Sequence, residues 1–197
     1  LINPLLISIV LTIPALLLLH IDYPTYYEGA KYLNWLLTPA TVALAVPLYE
    51  QFDLLKHNAA AVIAGIIAGV LSSLGTVLGL AVLFGFSHEE YITFLPKSIT
   101  TAIGMGVSEE LGGIVSITAG VIIITGVLGN ILAELVLKLF RITEPVAKGI
   151  ALGTSAHAIG TAKAMELGEA EGAMSSLSIA VSGIITVAGA AFFANFY

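Results

Sequence analysis

Apolar runs long enough to cross a lipid bilayer dominate this chain. The longest, residues 59–86, contains no charged residue. A helix needs about 20 apolar residues to span the hydrocarbon core, and spanning runs of this length are helical. Shorter runs cover residues 3–20, 33–49, 114–140 and 172–197. The sequence therefore predicts an all-α, polytopic integral membrane bundle with about five full spans.

The composition agrees with a lipid environment and excludes several classes of function. Hydrophobic residues make up 58% of the chain and charged residues 10%, whereas a soluble domain carries about 25% charged residues. The net charge of −6 is spread between apolar runs, which argues against a nucleic-acid partner. With no cysteine, no metal-ligand spacing, no phosphate loop and no nucleophile–base arrangement, we expect no enzyme, no catalytic residue, no metal and no cofactor.

The ends and connections of the runs give a provisional topology. The chain starts at Leu1 directly inside an apolar run, with no signal-peptide pattern. We expect one transmembrane domain over residues 1–197 that lacks an N-terminal span. Residues 21–32 (IDYPTYYEGAKY) hold four tyrosines, three of them within 23–27, and predict an interfacial loop. The loop 138–148 contains Lys138, Arg141 and Lys148, and such basic loops stay cytoplasmic.

Two short polar segments interrupt the apolar pattern and resemble each other. They are residues 96–113, PKSITTAIGMGVSEELGG, and residues 153–166, GTSAHAIGTAKAME. A shift of 56 residues gives 6 identities in the 11 positions 102–112. We interpret this as an internal repeat with units of about 96–140 and 152–197, each holding a short or broken helix. Such helices meet near the bilayer midplane in many transporters. Segments that re-enter would make the copies inverted and segments that cross would make them parallel; the sequence leaves both open.

Each short segment, taken as a helix, places small polar residues on one face. In the first copy the stripe is Ser98, Thr101, Met105 and Ser108. In the second it is Thr154, His157, Thr161 and Ala164. Facing stripes would bind a small polar ligand; the alternative is helix packing, with hydroxyls bonding back to their own helix.

Each of the charged and polar groups near these segments has two possible roles. Lys97 either holds an anion at a helix N-terminus or reaches for the interface. Glu110 is either part of an ion or proton pathway or a loop carboxylate. His157 is either a proton carrier and carboxylate binder or a buried neutral side chain. Thr38 and Thr41, beside Pro39 and Pro47, either line an unwound pathway or belong to an ordinary kinked span.

Glycines recur at four-residue steps in the longest run. Gly65 and Gly69 form one pair, and Gly75 and Gly79 form another. Small residues at this spacing let helix backbones approach closely. The run is therefore predicted to be a packing helix.

Three segments together resemble a known family. Residues 38–49 (TPATVALAVPLY), 96–113 and 151–166 (ALGTSAHAIGTAKAME) are similar to the CidB/LrgB family of bacterial membrane proteins, and to the C-terminal half of a plastid glycolate/glycerate translocator. Members of this family usually have a further N-terminal span. The resemblance implies a prokaryotic cell-membrane protein with one of two functions. The first is transport of small monocarboxylates such as pyruvate and glycolate. The second is antiholin-like control of murein hydrolase export and autolysis, through a holin-like partner of the CidA/LrgA type.

We therefore expect a proton- or cation-coupled carrier, working as a homo-oligomer, that binds a small carboxylate between two short helices. The alternative is the antiholin-like regulator, for which the helix face from Gly65 to Gly79 would be the docking surface. The residues shared with the family motifs are Lys97, Ser98, Thr100, Thr101, His157, Gly160 and Thr161. The predicted substrate-binding set is these residues with Thr154, and the predicted pathway residues are Thr38, Thr41 and Glu110.

Overall fold

The fold is known from a computed structural model that describes residues 4–36, 39, 42–43 and 45–197. The chain forms two compact units, Leu1–Val46 and Pro47–Tyr197. The first contains helices α1 (Pro4–Leu18) and α2 (Tyr23–Trp35), and α3 (Ala45–Glu50) follows at the boundary. Thr38 and Thr41 lie outside the described residues. The single-domain assignment and the bounds of the repeat units stay predictions.

The loop predicted over residues 21–32 is wrong, because residues 23–32 belong to helix α2. Asp22 accepts a hydrogen bond from the backbone N–H of Thr25 at 3.2 Å, which satisfies a free donor of the first helical turn. Bonds from Thr25 also hold the pKa of the Asp22 carboxyl below its ordinary value. A capping residue therefore starts a helix where aromatic composition alone indicated a loop.

The second unit is a helical membrane bundle. Its helices are α4 (Phe52–Phe84), α5 (His88–Phe94), α6 (Thr101–Leu111), α7 (Val115–Leu139), α8 (Pro145–Leu167) and α9 (Glu169–Phe193), followed by a 3-10 turn at Ala194–Phe196. Among the described helices, α4, α7 and the stretch Glu169–Phe196 are long and apolar enough to cross a membrane. At 1.5 Å per residue, the 33 residues of α4 make a helix about 50 Å long.

One face of α4 forms the core of this unit. Val62, Ile66, Val70, Leu74, Val77 and Ala81 are all buried, at the three- and four-residue spacing of one helical face. They pack with Tyr91, Ile92 and Met174. The Tyr91 hydroxyl donates to the Phe193 carbonyl at 2.9 Å, which fixes the start of α5 against the end of α9.

The first repeat copy folds as a hairpin that enters and returns. The backbone N–H of Ile114 donates to Thr93 Oγ1 at 2.8 Å, so the end of α5 lies beside the start of α7. Farther along, Gly104 lies close to the Pro96 carbonyl: a Cβ atom added to Gly104 would be 3.3 Å from Pro96 O. Residue 93 is therefore level with residue 114, and residue 96 is level with residue 104. The chain reverses between Leu95 and Thr100, and α6 runs back beside α5.

The second copy makes the same turn inside one helix. His157 has φ 41° and ψ −136°, which breaks α8 into arms 145–156 and 158–167. A Cβ atom on Gly160 would lie 2.5 Å from Leu152 O, so the second arm folds back on the first. Gly104 and Pro96 are 56 residues before Gly160 and Leu152. The two hairpins thus share one backbone contact at matched positions.

The two copies also make a reciprocal contact with each other. The side chain of Ile103 lies against Gly183 on α9, and the side chain of Ile159 lies against Gly126 on α7. Ile103 and Ile159 hold equivalent positions in the two copies, and so do Gly126 and Gly183. Each copy therefore places its isoleucine on the glycine of the other copy. Reciprocal contacts of this kind are the signature of a two-fold axis.

Contacts with α4 show that the two hairpins approach from opposite ends. In the second copy, Gly65 lies against Ile150 and Gly69 against Thr154, so its entering arm runs parallel to α4. In the first copy, α5 starts beside the end of α4, and Ser98 then reaches Ser73, whose Oγ is 2.9 Å away. That arm runs antiparallel to α4. The copies are therefore inverted, and both breaks lie near the middle of α4.

The hairpin contact predicts a specific weakness at Gly160. Gly160→Ala places a methyl group against the Leu152 carbonyl, which is rigid backbone, and we expect a loss of about 1–3 kcal/mol of folding stability. The control is Gly75→Ala, because that site is open and alanine is favoured in helices. Thermal unfolding of detergent-purified variants measures both. Equal midpoints for the two variants would contradict the hairpin packing.

Candidate functional site

The tip of the first hairpin presents an amine at the middle of α4. Lys97 Nζ donates to Ser98 Oγ at 2.9 Å, and Ser98 Oγ is also 2.9 Å from Ser73 Oγ. Ser98 is buried and Lys97 is half-buried. Among the described residues, the ion pairs do not include Lys97. A cation at this depth without a carboxylate is suited to an anionic partner from outside the chain.

The helix that follows adds donors to the same place. Helix α6 starts at Thr101, and Thr100 precedes it without a side-chain capping bond. The first backbone N–H groups of a helix have no partner within it, and its N-terminal end carries a partial positive charge. Lys97, the Thr100 and Thr101 hydroxyls and these N–H groups thus belong to one short stretch of chain.

The second copy brings its matching hydroxyl to the same part of α4. Thr154 is the repeat equivalent of Ser98. It packs directly on Gly69, because a Cβ atom added to Gly69 would be 2.8 Å from Thr154 Oγ1. Gly69 and Ser73 are one helical turn apart, so the two matched hydroxyls approach α4 about 6 Å from each other along its axis. Thr154 Oγ1 donates to Ile150 O at 2.7 Å, which leaves its lone pairs to accept.

His157 and Thr161 are held inside the protein. His157 is 3% exposed, and its Nε2–H donates to the Ile122 carbonyl at 2.9 Å. Thr161 Oγ1 lies 3.1 Å from its acceptor His157 O and 2.7 Å from Ser175 Oγ. These contacts tie the second hairpin to α7 and α9. They match the alternative in which these side chains serve packing.

The backbone at His157 is strained, because a positive φ crowds the Cβ atom of any residue except glycine. Such conformations cost about 1–3 kcal/mol and persist where their surroundings fix them. Here the bond to Ile122 and the close approach of the ring to Gly126 hold the break in place. His157 therefore positions the tip of the hairpin.

Two sequence predictions need correction. Ser98, Thr101, Met105 and Ser108 do not form one polar stripe, because α6 begins only at Thr101 and the break changes the phase. Met105 is exposed, whereas Ser108 is fully buried with its Oγ 2.7 Å from Thr118 Oγ1. The glycine face of α4 is likewise divided: Gly65 and Gly69 contact α8, while Gly75 and Gly79 are open.

The remaining predicted residues have clear places. Glu110 is exposed at the end of α6, far along the hairpin from its tip. Gly160 belongs to the contact between hairpin arms. Within the described chain, no group of three or more His, Asp or Glu side chains comes together to hold a metal ion.

A cavity of about 780 Å³ leads towards the hairpin tips. It runs between α4 and the first arm of α8, from Leu54 and Glu144 at one end of the unit to Gly69 and Thr154 near its middle. Its walls are mostly apolar, with Asn58 and Thr154 among the few polar groups. The cavity therefore connects Thr154 with the end of the unit where α8 begins.

Ser73 is a site residue that the sequence reasoning missed. It lies within the longest apolar run and looks there like an ordinary small residue. The available signal was its position one turn after Gly69, on the same face of the helix. The partner of that face was not predictable from the run alone.

The sequence as a whole matches the model of the LrgB-like family over residues 1–196. This protein belongs to the LrgB-like family. This chain is 39% identical over 185 residues to the antiholin-like protein LrgB of Bacillus mycoides (strain KBAB4). The alignment covers 94% of this chain and 80% of the relative. It is 38% identical over 182 residues to the uncharacterized protein YxaC of Bacillus subtilis (strain 168), covering 92% and 79%. No solved structure matches the chain.

The strain at His157 in this LrgB-like protein gives a prediction. His157→Ala removes the bond to Ile122 and keeps a Cβ atom at positive φ, whereas His157→Gly removes the bond and relieves the strain. Both variants leave a buried carbonyl unpaired, which costs about 1–3 kcal/mol. We expect the glycine variant to unfold at the higher temperature in detergent. An alanine variant as stable as the glycine variant would contradict the strained break.

Proposed function

We propose that this LrgB-like protein is a membrane carrier for small organic monocarboxylates, of the size of pyruvate or glycolate. The observation that carries the proposal is Lys97, a half-buried cation at the tip of a re-entrant hairpin with no ion pair in the described chain. Intramembrane charges are costly and are kept at substrate or ion pathways. A carboxylate is the simplest ligand that supplies the missing charge.

The chemistry of binding follows from the groups at the tip. Lys97 and the N-terminal N–H groups of α6 attract the carboxylate oxygens. The hydroxyls of Ser98, Thr100 and Thr101 bond those oxygens or a hydroxyl or keto oxygen beside them. Thr154 approaches from the other copy. His157, Gly160 and Thr161 shape the second tip and act on the ligand through it. Binding and movement need no covalent step.

The inverted repeat supplies a means of alternating access. Each hairpin enters from a different end of the unit, and the tips adjoin near the middle of α4. Carriers with inverted repeats expose a central site alternately by exchanging the conformations of two equivalent halves. The cavity beside Thr154 extends between α4 and the first arm of α8, and in this proposal it is the route from one side of the membrane to the site. Coupling to a proton or cation is part of the proposal.

A second candidate is the antiholin-like regulator, and the comparisons favour it more directly. Relatives at 39% identity bear the name antiholin-like protein. In this role the protein acts on a holin-like membrane partner, with or without transport. Because Gly65 and Gly69 pack against α8, such a partner would meet the open positions Gly75 and Gly79 on α4.

Uptake by purified protein in liposomes tests the carrier. We expect labelled pyruvate, glycolate or lactate to accumulate, and Lys97→Met to reduce initial uptake at least about tenfold, because one strong charged contact is worth about 1.5–3 kcal/mol. Lys97→Arg keeps the charge and retains part of the uptake. Lys56→Met, at an exposed lysine near the start of α4, is the control and stays near wild type.

No uptake by intact protein, alone and with its holin-like partner, would overturn the carrier proposal. The two candidates separate in cells that are scored for autolysis. If Lys97→Met leaves the autolysis phenotype unchanged while Gly75→Leu removes it, the protein acts as a regulator through its surface. If both activities fail in Lys97→Met alone, regulation depends on transport.

A further inference from the structure

A second cavity lies away from the hairpin tips, at the end of the unit where α7 stops and α8 begins. Its volume is about 560 Å³. Three of the chain's seven lysines and arginines line it, namely Lys138, Arg141 and Lys148. Leu137, Ile142 and Leu167 form an apolar wall beside them. Because α7, which is long and apolar enough to cross a membrane, ends at Leu139, we place this cavity near the boundary between hydrocarbon and water.

The lining of the cavity has a positive balance of charge. Glu134, also in the lining, is 3.5 Å from Lys138 and 2.9 Å from Lys163, so it is shared between two cations. Glu171 pairs with Lys148 at 3.4 Å. The ion pairs of the described residues do not include Arg141. The lining itself therefore holds three cations and one carboxylate, and one guanidinium has no carboxylate partner.

The backbone presents Arg141 in an unusual conformation. Its φ is 53°, the left-handed region in which a helix end normally has glycine. The chain around it closes as in a Schellman motif: the Ile142 N–H donates to Leu137 O at 2.8 Å and the Arg141 N–H to Lys138 O at 3.2 Å. An arginine is thus kept where glycine would be easier, and Leu137 and Ile142 form the apolar wall below it.

We propose that this cavity is a binding site for the headgroup of an anionic phospholipid. The guanidinium of Arg141 and the Lys138 amine bind the phosphate oxygens, since arginine matches phosphate geometry with paired donors. The apolar wall contacts the upper part of an acyl chain. Basic pockets between helices at a membrane surface recognise such headgroups. The site is separate from Lys97 and does not depend on transport.

Native mass spectrometry of the purified protein tests the site with phosphatidylglycerol and phosphatidylcholine of equal chain length. We expect a preference for phosphatidylglycerol, and a decrease of about fivefold in its binding for Arg141→Gln, the factor for one basic residue at a membrane surface. Arg141→Lys keeps most of the binding. Lys56→Gln removes an exposed charge outside the cavity and leaves binding unchanged.

Arg141→Gly separates lipid binding from folding. It removes the charge and suits the left-handed backbone, so it unfolds at or above the wild-type temperature without lipid and still loses the preference. Equal binding of the two lipids by wild type, or full binding by Arg141→Gly, would overturn the proposal. If inorganic phosphate alone raises the unfolding temperature as much as phosphatidylglycerol does, the site takes free phosphate and the lipid assignment is wrong.

Discussion

A backbone that turns back inside a membrane must have its polar groups covered by protein, because lipid supplies neither donors nor acceptors. The rest of this structure depends on that constraint. The chain turns back twice, between Leu95 and Thr100 and at His157. Each turn lies against α4, and each copy places an isoleucine, Ile103 or Ile159, on a glycine of the other copy. The inverted arrangement thus lets each half pack against the hairpin of the other.

The two hairpins make matched packing contacts, but the residues at their breaks differ in chemistry. The first has Pro96, which removes a donor, and carries Lys97 and Ser98 at its tip. The second has a strained His157 whose ring bonds to Ile122 O and fills the space above Gly126. One tip is consequently rigid and satisfied from within, whereas the other presents a cation and hydroxyls. This asymmetry places the ligand chemistry of the proposed carrier on the first hairpin, with Thr154 as the contribution of the second.

Much of the bundle was predictable, because long apolar runs in a bilayer have few alternatives to helices: α4, α7 and α9 lie within the runs at 59–86, 114–140 and 172–197 to within a few residues, apart from the longer start of α4. The shift of 56 residues also pointed to two related tips. Whether each short polar segment crosses the membrane or returns to the side it entered from was not predictable, since its composition is the same in both cases. Ser73 was missed for a similar reason: a serine in an apolar run gains its role only from Ser98, which is 25 residues away in sequence. The capping by Asp22 shows how one local bond outweighs the aromatic signal of a loop.

The side of the membrane from which single introduced cysteines are labelled tests the inverted re-entrant hairpins most directly. The natural chain contains no cysteine, so each label reports one position. Glu89→Cys and Glu110→Cys lie at the open end of the first hairpin, and Glu144→Cys and Glu166→Cys at that of the second; all four side chains are exposed. With a membrane-impermeant maleimide on intact cells and on inverted vesicles, we predict that positions 89 and 110 label from one side of the membrane and positions 144 and 166 from the other. Labelling of 89 and 110 from opposite sides would show that the first segment crosses, and the account of two inverted hairpins would be wrong.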